Sequence, residues 1–225
     1  MKTDEEIKVD VVDQLHWDAR IDASNVSVRV DNGIVELSGH VPARKALKAA
    51  EDDAYMVNGV LSVENNLSIF YPESKKLPTD EDIQNNIESN LAFNSDLESY
   101  KIAAEVDDGW VTLHGTVSSY WEEIEAEHEA FYVDGVLGVS SKVAVVPTGS
   151  FRDEDIAEDV VNALDRNMYA NPDDIEVKVE SGEVTLDGMV GSIRAKNAAY
   201  NSALYTPGVT FVNNQIKVSR ERVPG

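Results

Sequence analysis

The stretch Gly33-Ile34-Val35-Glu36-Leu37-Ser38-Gly39-His40-Val41 recurs as Gly109-Trp110-Val111-Thr112-Leu113-His114-Gly115-Thr116-Val117 and as Gly182-Glu183-Val184-Thr185-Leu186-Asp187-Gly188-Met189-Val190. In each copy Val, Leu and the final Val alternate with mostly polar residues. A period of two predicts a strand with one buried face. Asp31-Asn32-Gly33, Asp107-Asp108-Gly109 and Glu180-Ser181-Gly182 precede the strands. Such dipeptides predict tight hairpins, because both central residues need a positive φ. The partner strands are the alternating runs Val26 to Val30, Ile102 to Val106 and Ile175 to Val179. The second glycine of the stretch (Gly39, Gly115, Gly188) has the parity of the buried residues. It is therefore expected to face the core and to let a helix approach the sheet closely. A phosphate-binding role is disfavoured, since such loops open a helix rather than lie within a strand.

Working outward, Gly33, Gly109 and Gly182 are 76 and 73 residues apart, and so are Gly59, Gly135 and Gly208 and the acids Asp4, Asp80 and Asp153. Residues 4–69, 80–145 and 153–218 align without a gap, an internal repeat that fixes the architecture. Each unit opens with acids suited to a helix N-terminus, preceded by Thr3, Thr79 or, as a departure, Arg152. Ile7, Val11 and Leu15 then mark one buried stripe, with Ile83, Ile87 and Leu91 and Ile156, Val160 and Leu164 as its equivalents. A second helix follows the hairpin, with small residues at Ala50 and Ala54, Ala126 and Ala130, and Ala199 and Ala203. The turn glycines Gly59, Gly135 and Gly208 lead into a third strand. The fold class is α+β: three tandem αββαβ domains, each a three-stranded mixed sheet with two helices on one face. The expected domains are residues 1–70, 80–146 and 153–219. Linkers over 71–79 and 147–152, stiffened by Pro72, Pro78 and Pro147, are expected to be extended.

The formal net charge is -23 over 225 residues. That argues against nucleic acid, whose recognition begins with a basic patch. It argues equally against simple attraction to anionic lipid. Acid exceeds base by 7, 13 and 7 in the three aligned units, so the middle one is unusual. With no cysteine, disulfides and thiolate chemistry are excluded. No apolar run reaches membrane-span length, and Met1 to Glu6 has no leader-like character. The chain as given reads as cytoplasmic, or as periplasmic if its N-terminus has been truncated.

With Val57-Asn58-Gly59-Val60 and Val133-Asp134-Gly135-Val136 added to the repeated stretch, nearly the whole chain resembles the BON domain, named for bacterial osmotic-stress and nodulation proteins. The third copy reads Thr206-Pro207-Gly208-Val209, keeping the glycine and second valine only. The resemblance implies a non-enzymatic module of bacterial stress and envelope proteins that attaches to phospholipid or other envelope interfaces. Some relatives pair it with cation binding.

No catalytic, cofactor or metal site is expected. His16, His40, His114 and His128 fall at non-equivalent positions, and no serine lies in a nucleophile elbow. The nine glycines at positions 33, 39, 59, 109, 115, 135, 182, 188 and 208 read as structural. The candidate interface is the aromatic group of the middle unit, Trp110 with Tyr120 and Trp121, facing a lipid surface, an envelope protein or a sister unit. Glu122, Glu123, Glu125, Glu127 and Glu129 on the same helix repel one another, which would suit weak cation binding, although a solvated face explains them as well.

Overall fold

The computed structural model describes residues 2–70, 77–98 and 101–219. The first unit runs α1 (Asp4–Trp17), β1 (Val26–Asp31), β2 (Ile34–Val41), α2 (Arg44–Met56) and β3 (Ser62–Ile69). The second is α3 (Asp80–Phe93), β4 (Ile102–Asp107), β5 (Trp110–Val117), α4 (Tyr120–Phe131) and β6 (Gly138–Val145). The third is α5 (Asp153–Asp165), β7 (Ile175–Glu180), β8 (Glu183–Val190) and α6 (Ile193–Leu204), closed by a strand in two pieces, β9 (Phe211–Asn214) and β10 (Lys217–Val218). In every unit the repeated stretch is the central strand, antiparallel to the strand before it and parallel to the strand after the second helix. These are the mixed α+β sheets expected. Residues 71–76 of the first linker, Pro72 among them, lie outside the described residues. The second linker bends at Thr148–Gly149 rather than running straight.

The helical stripes and the strand valines and leucines form one core per unit, and the six repeated alanines of the second helices are all fully buried. Thr3 and Thr79 cap their helices through reciprocal capping boxes with Glu6 and Asp82. Arg152 offers no cap and instead pairs with Asp155 at 2.5 Å.

The hairpin turns hold Asn32, Asp108 and Ser181 at φ values of 50°, 48° and 55°, each followed by its glycine at positive φ. A carboxylate clamps each turn. Asp4 accepts from the backbone N–H groups of Asn32 and Gly33 at 2.7 and 2.9 Å, Asp80 from Asp108 and Gly109, and Asp153 from Ser181 and Gly182. Charge at the helix N-terminus was thus the smaller half of that acid's role, since it also ties the first helix to the hairpin with charge-assisted bonds.

The strand glycine requires a correction. Gly39, Gly115 and Gly188 have φ of +117°, +139° and +148°, and the atoms nearest to a Cβ there belong to the backbone leading into the neighbouring strand rather than to a helix. A Cβ at Gly115 would stand 1.9 Å from the carbonyl oxygen of Lys101, the residue just before β4, with Asn25 and Asp174 in the same relation to Gly39 and Gly188. The positive φ removes these residues from the strand parity, which is why alternation misplaced them. Close approach to a helix belongs to the other glycine: a Cβ on Gly59 would meet Ile7 of α1 at 2.9 Å, and one on Gly135 would meet Ile83 at 2.8 Å.

Candidate functional site

The middle unit's aromatics do not form one patch. Tyr120, at the start of α4, is 8 % exposed and belongs to the core of the third unit, its ring 5.4 Å from that of Phe211. Trp121 packs on the same core and lies 6.4 Å from Tyr205 at the end of α6. Trp110 stays on the far face of its sheet, 62 % exposed, with its ring across Gly138. Burial pushes the Tyr120 hydroxyl's pKa up, and the neighbouring Tyr200 adds to the effect.

The junction between the first two units repeats this pattern at equivalent positions. Arg44, which aligns with Tyr120, opens α2; its guanidinium sits 4.5 Å over the Phe131 ring near the end of α4 and donates to the Leu137 carbonyl at 2.9 Å. Ile193, the third aligned residue, opens α6 and shares the walls of one cavity with Tyr55, Met56 and Leu61 of the first unit. The start of each second helix therefore meets the end of the next unit's second helix and the start of its third strand, and the third unit meets the first in the same sense. A head-to-tail contact that returns to its origin is a closed ring. The chain is an intramolecular pseudo-trimer with α2, α4 and α6 turned inward.

The glutamates of α4 are engaged rather than arrayed in solvent. Glu122 accepts from Ser118, Glu123 from Ser141 at 2.6 Å, and Glu125 and Glu129 from the Asn94 side-chain amide at 3.1 and 3.0 Å. Burial raises the pKa of Glu127, with the charge of Glu123 adding to it. Among the described residues no three His, Asp or Glu side chains are grouped to hold a metal ion, and no helix is long and apolar enough to cross a membrane. In the first unit the same helix ends carry Asp18 and Asp53. Hydrogen bonds from the Arg20 side chain hold Asp18 down to about 2, whereas burial pushes Asp53 up.

The BON domain family matches residues 3–69, 79–147 and 152–220. The chain belongs to the BON-domain family. Osmotically-inducible protein Y of Escherichia coli K12 is 32 % identical over 124 residues, 54 % of this chain. The match spans 62 % of that protein's length. Solved structures of CdsD, the structural protein of the type III secretion system of Chlamydia trachomatis, align over 97 % of this chain and 100 % of theirs for the C-terminal domain, at 15 % identity and a TM-score of 0.26. A likeness at that score says nothing about how the BON units are arranged here.

One surface feature escaped the sequence reading. Trp17 and Phe93, at equivalent C-terminal positions of α1 and α3, are 86 % and 89 % exposed, and Met168, just after α5, is 85 % exposed. Ring symmetry places equivalent positions at one height along the axis, and the loops after α1 and α5 do meet there, since Arg20 and its equivalent Tyr169 line one cavity. Trp17 and Phe93 thus stand at equivalent helix ends of the first two BON units, while the third carries Arg166 at that position with Met168 exposed two residues on. The signal was available: both Trp17 and Phe93 follow the last buried leucine by two positions, off the helix stripe.

Proposed function

We propose that the chain is a non-catalytic, stress-related bacterial binding protein whose ring of BON units attaches to phospholipid interfaces through the end that carries Trp17, Phe93 and Met168. The observation behind this reading is that Trp17 and Phe93, at equivalent helix ends of two units, and Met168 in the third are almost wholly in solvent, without a core to enter. Tryptophan and phenylalanine suit a lipid headgroup boundary, where an apolar ring is buried without a fixed partner. The net charge of -23 makes the apolar contact the driving term. The similarity to an osmotically inducible protein supports the stress-related part of the proposal.

Burying each ring contributes about 1.5–3 kcal/mol. Liposome flotation should therefore show Trp17→Ala/Phe93→Ala partitioning at least about 100-fold less than wild type, with an unchanged melting curve because both residues are exposed. Wild-type protein that stays unbound in both low and high salt would contradict the lipid reading.

A further inference from the structure

Two of the ring's three junctions are closed by rings: Phe131 under Arg44, and Phe211 and Tyr205 against Tyr120 and Trp121. At the third, α6 comes directly against α2, with no such pair of side chains among the described residues filling the space beside it. This junction holds a cleft of three adjoining lobes of about 530, 730 and 490 Å³, all walled by Tyr55 and Ile193. The physical reason lies in the aligned residues: Ile193 stands where the other junctions have Arg44 and Tyr120.

The charge of this cleft is opposite to that of the protein. Overall there are 42 acidic and 19 basic residues. Six of the basic ones, Lys2, Arg20, Lys48, Arg194, Lys196 and Lys217, line the cleft, against two acids, Glu51 and Asp52. Lys2, Arg20 and Lys48 are paired with Asp10, Asp18 and Asp52. Lys196 and Lys217 make no ion pair among the described residues, and Arg194 lies over the Tyr169 ring at 5.3 Å. Like charges gathered in a concave site concentrate the field and attract counter-charge. The lobes are of the size that encloses small molecules.

We propose that the cleft between the first and third units binds a phosphate-bearing anion, whose charge is met by Lys196 and Lys217 and whose remainder lies along Tyr55 toward Arg194 and Tyr169. Bound there, the anion links the two units across the cleft, so occupancy stabilises the ring by mass action. The site is separate from the apolar tips and does not depend on the lipid reading.

Inorganic tripolyphosphate is a suitable probe, titrated calorimetrically into the full chain. One saturable site is expected. Lys196→Ala/Lys217→Ala should weaken it about tenfold or more, because each lysine contributes a charge-assisted bond. Its melting transition without ligand should be unchanged, and Lys178→Ala, a lysine paired with Glu176 on the outer sheet, should bind like wild type. Phosphatidylglycerol vesicles that displace the probe would identify a lipid headgroup as the source of the phosphate; vesicles that leave it bound would identify a free phosphorylated compound. Trp17→Ala/Phe93→Ala should keep the probe site even if it abolishes flotation, which separates this proposal from the lipid one. Absence of saturable binding at millimolar tripolyphosphate, or a double lysine variant that binds like wild type, overturns it.

Discussion

Gly115→Val is expected to destabilise the middle unit by about 3 kcal/mol or more, a larger loss than overpacking beneath a helix would give. Two costs add. A β-branched residue at φ +139° is strained by about 1–3 kcal/mol, and its Cβ would lie 1.9 Å from the Lys101 carbonyl oxygen, a backbone atom that cannot rotate away. Moving that backbone costs about 1–3 kcal/mol more. For a unit this small, each kcal/mol lowers the melting temperature by about 4–8 °C, so the middle unit's transition should fall by at least about 12 °C. Gly191→Ala is the natural control, because a Cβ there meets nothing within 4 Å. A Gly115→Val protein that melts like wild type would show that the strand does not bend at this residue.

Tyr120→Ala should act on a unit to which Tyr120 does not belong. Its ring is 8 % exposed and sits among core residues of the third unit. Emptying such a site costs about 3–5 kcal/mol in a core. The loss should register as faster hydrogen exchange in β8, β9 and α6, while the amides of β1 and β2 in the first unit keep their protection. If only the middle unit loosens, the junction is not an extension of the third unit's core.

The sequence carried the architecture because the repeat supplied three independent readings of each element. Val35, Val111 and Val184 cannot all alternate correctly by chance, and the Asn-Gly and Asp-Gly turns set the hairpin register on their own. It misled where one residue leaves the regular backbone. Period-two reasoning assumes extended φ throughout, so Gly39, Gly115 and Gly188 were given a face they do not have. It was incomplete where partners are distant in the chain, as with Asp80 and the turn 28 residues away. The junctions were illegible for a further reason: Arg44, Tyr120 and Ile193 are equivalent in place but unlike in chemistry, so the repeat pattern gives no hint that they perform one role. Tyr120 and Trp121 are therefore grouped with Trp110 as one surface in the sequence, whereas of the expected partners it is the sister unit that these two meet. Trp17 and Phe93, by contrast, could have been found by asking which apolar residues lie off every stripe.

Ring closure is the claim on which the apolar end face and the basic cleft both depend, and small-angle scattering of the full chain tests it most directly. A compact body of 225 residues has a radius of gyration of about 17 Å, and a ring of three touching units should measure about 20 Å by the same scaling. Three separate units in a row would measure about 27 Å. A value of about 20 Å at both low and physiological salt is the predicted result; a value of about 27 Å would contradict the ring.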